Sequence, residues 1–295
     1  MNYSRRAFRS IISLNLSFGV LLAIAVPIVF ASGNARDKME AEELAAKHVA
    51  SIGTEEARKN ISSITIAGTT KAVFKGRGTG ETSGLVVLAS QGRKNLIGMK
   101  FPTPDYPHER MGYDGDDFSV AFVVPGQRSE LGEFMKTNDK TFKTGILGGA
   151  LSSSWELLRY DEERGKLSSC KTTDINDVEV YRCRYKPDSG SDLKIEMFFD
   201  AATFRHVRTE YSRVISARQG TSIDNSARQQ EERYQLVEEF GDFAEESGLT
   251  LPHTYTIKYE KQTGEGTRIY TWTMNLQQFQ FNNEIDPKEF KVDSY

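Results

Sequence analysis

The 295-residue chain is 38% hydrophobic and 27% charged, a balance that excludes global disorder. Setting aside Arg5, Arg6 and Arg9 of the N-terminal segment takes the formal charge from -3 to -6, with 35 basic against 41 acidic residues remaining. A mildly acidic chain with no concentrated basic face excludes nucleic acid as a partner, because a phosphate backbone demands one.

Arg5, Arg6 and Arg9 precede an apolar run from Ile11 to Phe30 that Ser13, Asn15 and Ser17 interrupt, so the stretch free of polar side chains is Phe18 to Ala31. At about 1.5 Å per residue that stretch is too short for a hydrocarbon core of roughly 30 Å. Small or compact residues suited to peptidase cleavage follow at Val29-Phe30-Ala31 and Gly33-Asn34-Ala35. Residues 1–35 are therefore expected to be a cleaved signal peptide with its cleavage region, and 36–295 a single exported domain. Ser4-Arg5-Arg6-Ala7-Phe8 is similar to a twin-arginine signal, but Arg9 stands where an apolar residue is usual, so both export routes stay open. No cysteine lies near the cleavage sites, so no lipid anchor is expected there.

Asp37–Ile52 is predicted to be a helix, since Ala41, Leu44, Ala45, His48, Val49 and Ile52 recur at helical spacing and Gly53 stops it. A shorter helical piece is predicted over Thr54–Asn60. From Ile61 the period changes to two, the mark of strands. Ile97, Met99 and Phe101 share one face, as do Phe118, Val120, Phe122 and Val124. Ser129–Arg159 interrupts the strands with short amphipathic segments, and Gly145-Ile146-Leu147-Gly148-Gly149 within it reads as a mobile link.

Next comes a hairpin, Lys166–Thr172 and Glu179–Lys186 around Asn176-Asp177. A two-residue turn there sets Cys170 directly opposite Cys183, the only two cysteines. An oxidising compartment favours their pairing; two half-buried free thiols are the alternative. Leu193, Ile195, Met197 and Phe199 form another apolar set, and residues 217–228 read as a polar exposed loop. Leu251, His253, Tyr255, Ile257 and Tyr259 line one side of a later strand, and Tyr270, Trp272, Met274 and Leu276 one side of the last. A change of parity between Leu276 and Phe279 predicts a bulge near Gln277-Gln278.

The fold class expected is mainly β (α+β), with about eleven or twelve antiparallel strands. One long helix and a short insert are too few to cover so wide an apolar face. The sheet is expected to curl around them and leave an apolar hollow.

Several stretches carry a resemblance: Ala45-Ala46-Lys47-His48-Val49-Ala50-Ser51-Ile52-Gly53, Ile61-Ser62-Ser63-Ile64-Thr65-Ile66-Ala67-Gly68, and Tyr113-Asp114-Gly115-Asp116. Phe199-Asp200-Ala201-Ala202-Thr203-Phe204-Arg205-His206-Val207-Arg208 and Phe281-Asn282-Asn283-Glu284-Ile285-Asp286-Pro287-Lys288-Glu289-Phe290 complete them. With these the chain resembles the LolA/LolB-like outer-membrane lipoprotein-sorting family. The resemblance implies an incomplete antiparallel β-barrel closed by an N-terminal helix and a mid-chain helical insert, with a cavity for acyl chains. It also implies periplasmic transfer of lipoproteins from an inner-membrane transporter to an outer-membrane acceptor. The chain is longer than the typical carrier, and Phe118–Pro125 with Gly126-Gln127-Arg128 replaces the family's aromatic-Asp-Pro turn, so no individual functional residue is carried over.

No catalytic, metal or cofactor site is expected. His48, His108, His206 and His253 lack metal-ligand spacing, and His48 lies on an apolar stripe where core packing is the simpler role. Asp114-Gly115-Asp116-Asp117 lacks a calcium ligand ladder, and Ser152-Ser153-Ser154 has no nucleophile context. Arg205, His206, Arg208 and Arg213 read as a solvated outer face, with a lipid-headgroup rim as the alternative. As a set, Met99, Phe101, Phe122, Ile195, Met197, Tyr255 and Trp272 are the candidate cavity wall, although core packing explains each one singly. The function expected is a periplasmic lipid or lipoprotein carrier. The alternative is an envelope lipid- or protein-sensing module.

Overall fold

The structure, a computed structural model, describes residues 39–160, 165–216 and 231–292. The expected export signal and the loop expected over 217–228 lie outside the described residues. The first helix, α1, spans Ala41–Ile52 and buries Leu44, Ala45, His48 and Ile52, the stripe that its periodicity predicts. A second short helix, α2 (Glu55–Lys59), starts where the Thr54 hydroxyl accepts the amide of Ala57.

Among the described residues twelve strands follow: β1 Ser63–Lys75, β2 Thr79–Gln91, β3 Lys94–Thr103, β4 Tyr106–Tyr113 and β5 Phe118–Val120, then β6 Lys166–Ile175 and β7 Val178–Lys186. They continue with β8 Lys194–Asp200, β9 His206–Ile215, β10 Glu232–Glu246, β11 Leu249–Thr263 and β12 Gly266–Phe281. They form one antiparallel sheet in the order β5-β4-β3-β2-β1-β12-β11-β10-β9-β8-β7-β6. Only the β1–β12 pairing joins strands distant in sequence, and it unites the two meanders. The sheet stays open, with β5 and β6 as its edges. An incomplete antiparallel barrel is thus the observed architecture.

Register follows the sequence signals closely. Ala67 faces Gln278 while Gly68 faces Leu276, so Gln277 is the extra residue of a bulge where the parity change puts it. Asn176 and Asp177 both take positive φ, 50° and 65°, in the turn of the β6–β7 hairpin. Cys170 and Cys183 are disulfide-bonded with Cα atoms 4.1 Å apart. Beyond them the register slips by one at Ser169 (φ 54°), a bulge that alternation alone does not announce.

Two local expectations need correction. The strand expected over Phe118–Val124 ends at Val120. Beyond it Gly126 takes φ 77° and the Gln127 amide bonds back to the Val124 carbonyl. Pro125 cannot donate to a ladder, so the chain leaves the sheet in a tight turn that exposes Val124. The insert also differs: its helices are only α3 (Glu130–Thr137) and α4 (Asp139–Phe142), with single 3-10 turns at Gly149–Leu151 and Glu156–Arg159. The stretch from Gly145 to Gly149, read as a mobile link, is buried throughout.

That burial decides how the concave face is filled. Leu131, Phe134, Met135, Phe142, Ile146, Leu147, Leu151, Trp155 and Leu157 of the insert join one core with the inner faces of the strands. Side chains on turns and extended backbone contribute apolar volume as well as helical ones do, so the insert fills the middle of the hollow.

Candidate functional site

With its middle filled, the concave side keeps room at its two ends. β1 runs from one end to the other: Ile64 borders one cavity and Phe74 another. Ten residues at about 3.3 Å each set those positions roughly 33 Å apart.

The cavity at the Phe74 end has a volume of about 560 Å³. Strand alternation supplies its sheet-side wall: Phe74 from β1, Tyr270 and Trp272 from β12, Tyr106 from β4. Phe74 pairs with Tyr270, and Ala72 with Trp272, in the β1–β12 ladder. Edge-on contacts between Phe74 and both Tyr106 and Tyr270, at 5.1 and 5.6 Å between centroids, fix the rings relative to one another. The opposite wall is the turn after β5 and the start of α3, with Leu131 on its apolar side.

The rim is polar. Glu130 accepts from Lys261 Nζ at 2.8 Å and from Arg268 Nη1 at 2.7 Å, which clamps the start of α3 onto the β11–β12 hairpin. Arg128 lies over the Phe122 ring at 4.3 Å and donates Nε to the Val120 carbonyl at 3.1 Å. Deeper in, the Trp272 indole donates to the Tyr106 hydroxyl at 3.0 Å, and that hydroxyl donates to Glu109 Oε2 at 2.7 Å. Glu109 is buried, which pushes its carboxyl up to about 7 against the opposing pull of Ser129 and Tyr106.

Of the residues predicted as cavity wall, Trp272 alone borders this space. Met99, Phe101, Ile195, Met197 and Tyr255 are buried in the common core. Phe122 is half-buried beneath Arg128. Tyr255 instead donates to the buried Glu238 at 2.5 Å, which also accepts from Tyr211 at 2.7 Å and from the Gly148 amide at 2.8 Å. These three donors hold the insert onto β9–β11; burial raises the Glu238 carboxyl, and the donors oppose that rise. Phe74 and Tyr106 went unsingled in the sequence. Phe74 continues the parity of Thr70 and Ala72, a readable signal, whereas Tyr106 follows a turn and meets its partners only across the sheet.

The second cavity, about 530 Å³, lies under α1 and α2. His48, on the same helix α1, is buried and donates Nδ1–H to the Phe204 carbonyl at 3.1 Å. Among the four residues weighed as an outer face, His206 is buried within the aromatic cluster around Trp155. Arg208 is on the outer side, paired with Glu210 and Glu239. No group of three or more His, Cys, Asp or Glu side chains converges to hold a metal among the described residues.

No family profile matches the chain, and no curated protein is similar to it. Among solved structures, it is similar to a LolA-superfamily protein from Nitrosomonas europaea. The identity is 13%, the match covers 86% of this chain and 99% of that one, and the TM-score is 0.45. A candidate outer membrane lipoprotein-sorting domain from Vibrio parahaemolyticus is 13% identical over 83% and 97% of the two chains, with a TM-score of 0.41. A DUF1329 family protein from Desulfovibrio piger follows at 7% identity, 86% and 98% coverage and a TM-score of 0.38.

Proposed function

We propose that this protein is a periplasmic carrier that buries acyl chains of lipids or lipoproteins on their way to the outer membrane, without catalysing a reaction on them. The observation that carries this reading is the aromatic cavity of about 560 Å³ between Phe74, Tyr106, Tyr270, Trp272 and the start of α3. Its size falls within the roughly 300–1,000 Å³ of small-molecule sites. An acyl chain gains about 0.8 kcal/mol for each CH₂ that it buries, ample for reversible carriage. The partners of such a carrier are an inner-membrane transporter that loads it and an outer-membrane acceptor that empties it.

A second reading, an envelope lipid- or protein-sensing module, draws support from the insert. Its own side chains join the core in the middle of the concave face, while cavities stay open at the ends.

The chain's two tryptophans provide the test. In Trp155→Phe the only indole is Trp272, and palmitate bearing a nitroxide along its chain is expected to quench it saturably. Native mass spectrometry of protein purified from the envelope is expected to show a co-purifying acyl chain. An unquenched Trp272 together with acyl-free protein overturns carriage; a stoichiometric protein partner in that case supports sensing.

A further inference from the structure

The outer face of the sheet carries a patch that core packing does not explain. β2 points Leu85 and Val87 outward, 62% and 40% exposed. Ladder partners fix their surroundings: Ala67 and Gly98 flank Val87, while Thr69 and Lys100 flank Leu85. Arg110 faces Gly98 across the β3–β4 pair, its Cγ 3.9 Å from where a Cβ on that glycine would stand. One row further along, Ala89 and Leu96 are covered by Phe290 and Val292 of the C-terminal segment. That cover stops short of Leu85 and Val87.

The charge of the patch is one-sided. Lys100 and Arg110 are exposed, and neither side chain is paired with a carboxylate among the described residues. From the Ala89 row to the Leu85 row, the outward positions of β1–β4 hold no Asp or Glu. Further along β2 the first is Glu81, already bonded to Lys71 at 2.9 Å. In a chain with more acids than bases, two bare aliphatic side chains beside two free cations are complementary to an anionic, apolar partner. No Trp, Tyr or Phe projects outward from these rows to act as the anchor of a protein contact. Aliphatic side chains flanked by Lys and Arg instead match the boundary between acyl chains and phosphates. We infer that this outer face of β1–β4 docks the protein reversibly on an anionic phospholipid surface, with Leu85 and Val87 entering between headgroups and Lys100 and Arg110 meeting phosphates. The contact is separate from acyl-chain carriage, because it uses the face turned away from the cavities.

The test is co-sedimentation of protein purified from the envelope with vesicles of phosphatidylglycerol and phosphatidylcholine, against vesicles of phosphatidylcholine alone. Stronger partitioning onto the anionic vesicles is expected. Lys100→Gln and Arg110→Gln are each expected to weaken it about fivefold, as ~1 kcal/mol per cation beside an anionic leaflet implies. Leu85→Ser with Val87→Ser is expected to weaken it at least as much. All four side chains are exposed, so these variants fold, and an unchanged circular dichroism spectrum verifies it. Val178→Ser is the control, since Val178 is 50% exposed but stands beside Glu179, and it is expected to change nothing. Equal partitioning onto both vesicle types overturns the inference, as does wild-type sedimentation of the variants at either pair. A stoichiometric protein partner that is lost in Leu85→Ser, with no vesicle binding by the wild type, overturns it in favour of a protein contact. In the Trp155→Phe background, quenching of Trp272 by nitroxide-bearing palmitate is expected to survive every one of these substitutions, so failure of docking and failure of carriage are read separately.

Discussion

The Trp155 indole donates its N–H to Nε2 of His48 at 3.0 Å, joining residues 107 positions apart. Because Nδ1 of the same ring donates to the Phe204 carbonyl, His48 is neutral and ties α1, the insert and the turn before β9 to one point. Burial lowers this histidine to about 4 from an ordinary 6.5. In the unfolded chain it takes up a proton as pH falls below about 6.5, while the folded protein resists until about 4. Its contribution to stability is therefore complete above that window and lost on acidification through it. Urea unfolding is expected to show His48→Gln with a shallower loss of stability between pH 7 and pH 4.5, by up to about 3 kcal/mol. An unchanged slope would remove His48 as its source.

Glu109 works in the opposite direction. Its carboxyl is held up to about 7 by burial, so between about 4.5 and 7 the unfolded chain has released a proton that the folded one keeps. Its stabilising effect is full at acid pH and fades as pH rises through that window. Glu109→Gln keeps the acceptor for Tyr106 without the charge. Relative to wild type, the variant is expected to gain on the order of 3 kcal/mol between pH 4 and pH 8. Parallel pH profiles for the two proteins count against this assignment.

At Gly68 the bulge presses β1 against β12 so closely that a Cβ would sit 2.1 Å from the Asn275 carbonyl oxygen. Gly68→Ala is expected to cost at least about 2 kcal/mol, since backbone rather than a mobile side chain must give way. Gly98→Ala serves as the control, because the nearest atom to its added Cβ is 3.8 Å away. Similar losses at both positions in chemical denaturation would refute the close approach as the cause.

The disulfide closes a sequence separation of 13, around a turn that already forms locally. Chain-entropy arguments allow about 3 kcal/mol for a loop of this size, less where the reduced chain is pre-bent. Cys170→Ala with Cys183→Ala is expected to lose about 1–2 kcal/mol and to keep its far-ultraviolet circular dichroism. Loss of the β signal would instead make the bond essential to the fold.

Alternation along single strands was enough to say which side chains face inward, because the period of two is a local property of extended backbone. Ile195, Met197, Tyr255 and Trp272 all point into the core as that pattern requires. Turn chemistry at Asn176-Asp177 set a register that brought Cys170 to Cys183, and a break in parity marked the extra residue Gln277. What covers the inner face was a different matter. Buried turns such as Gly145–Gly149 carry no periodicity, and their position depends on partners as remote as Glu238, 90 residues from Gly148. The cavity wall likewise unites Phe74, Tyr106 and Trp272, which only the β1–β12 pairing and the curl of the sheet bring together. The amino-acid pattern alone determined an antiparallel sheet with one apolar face. Where that sheet keeps empty space was decided by non-local contacts, because volume is filled in three dimensions by whichever side chains arrive there, regular or not.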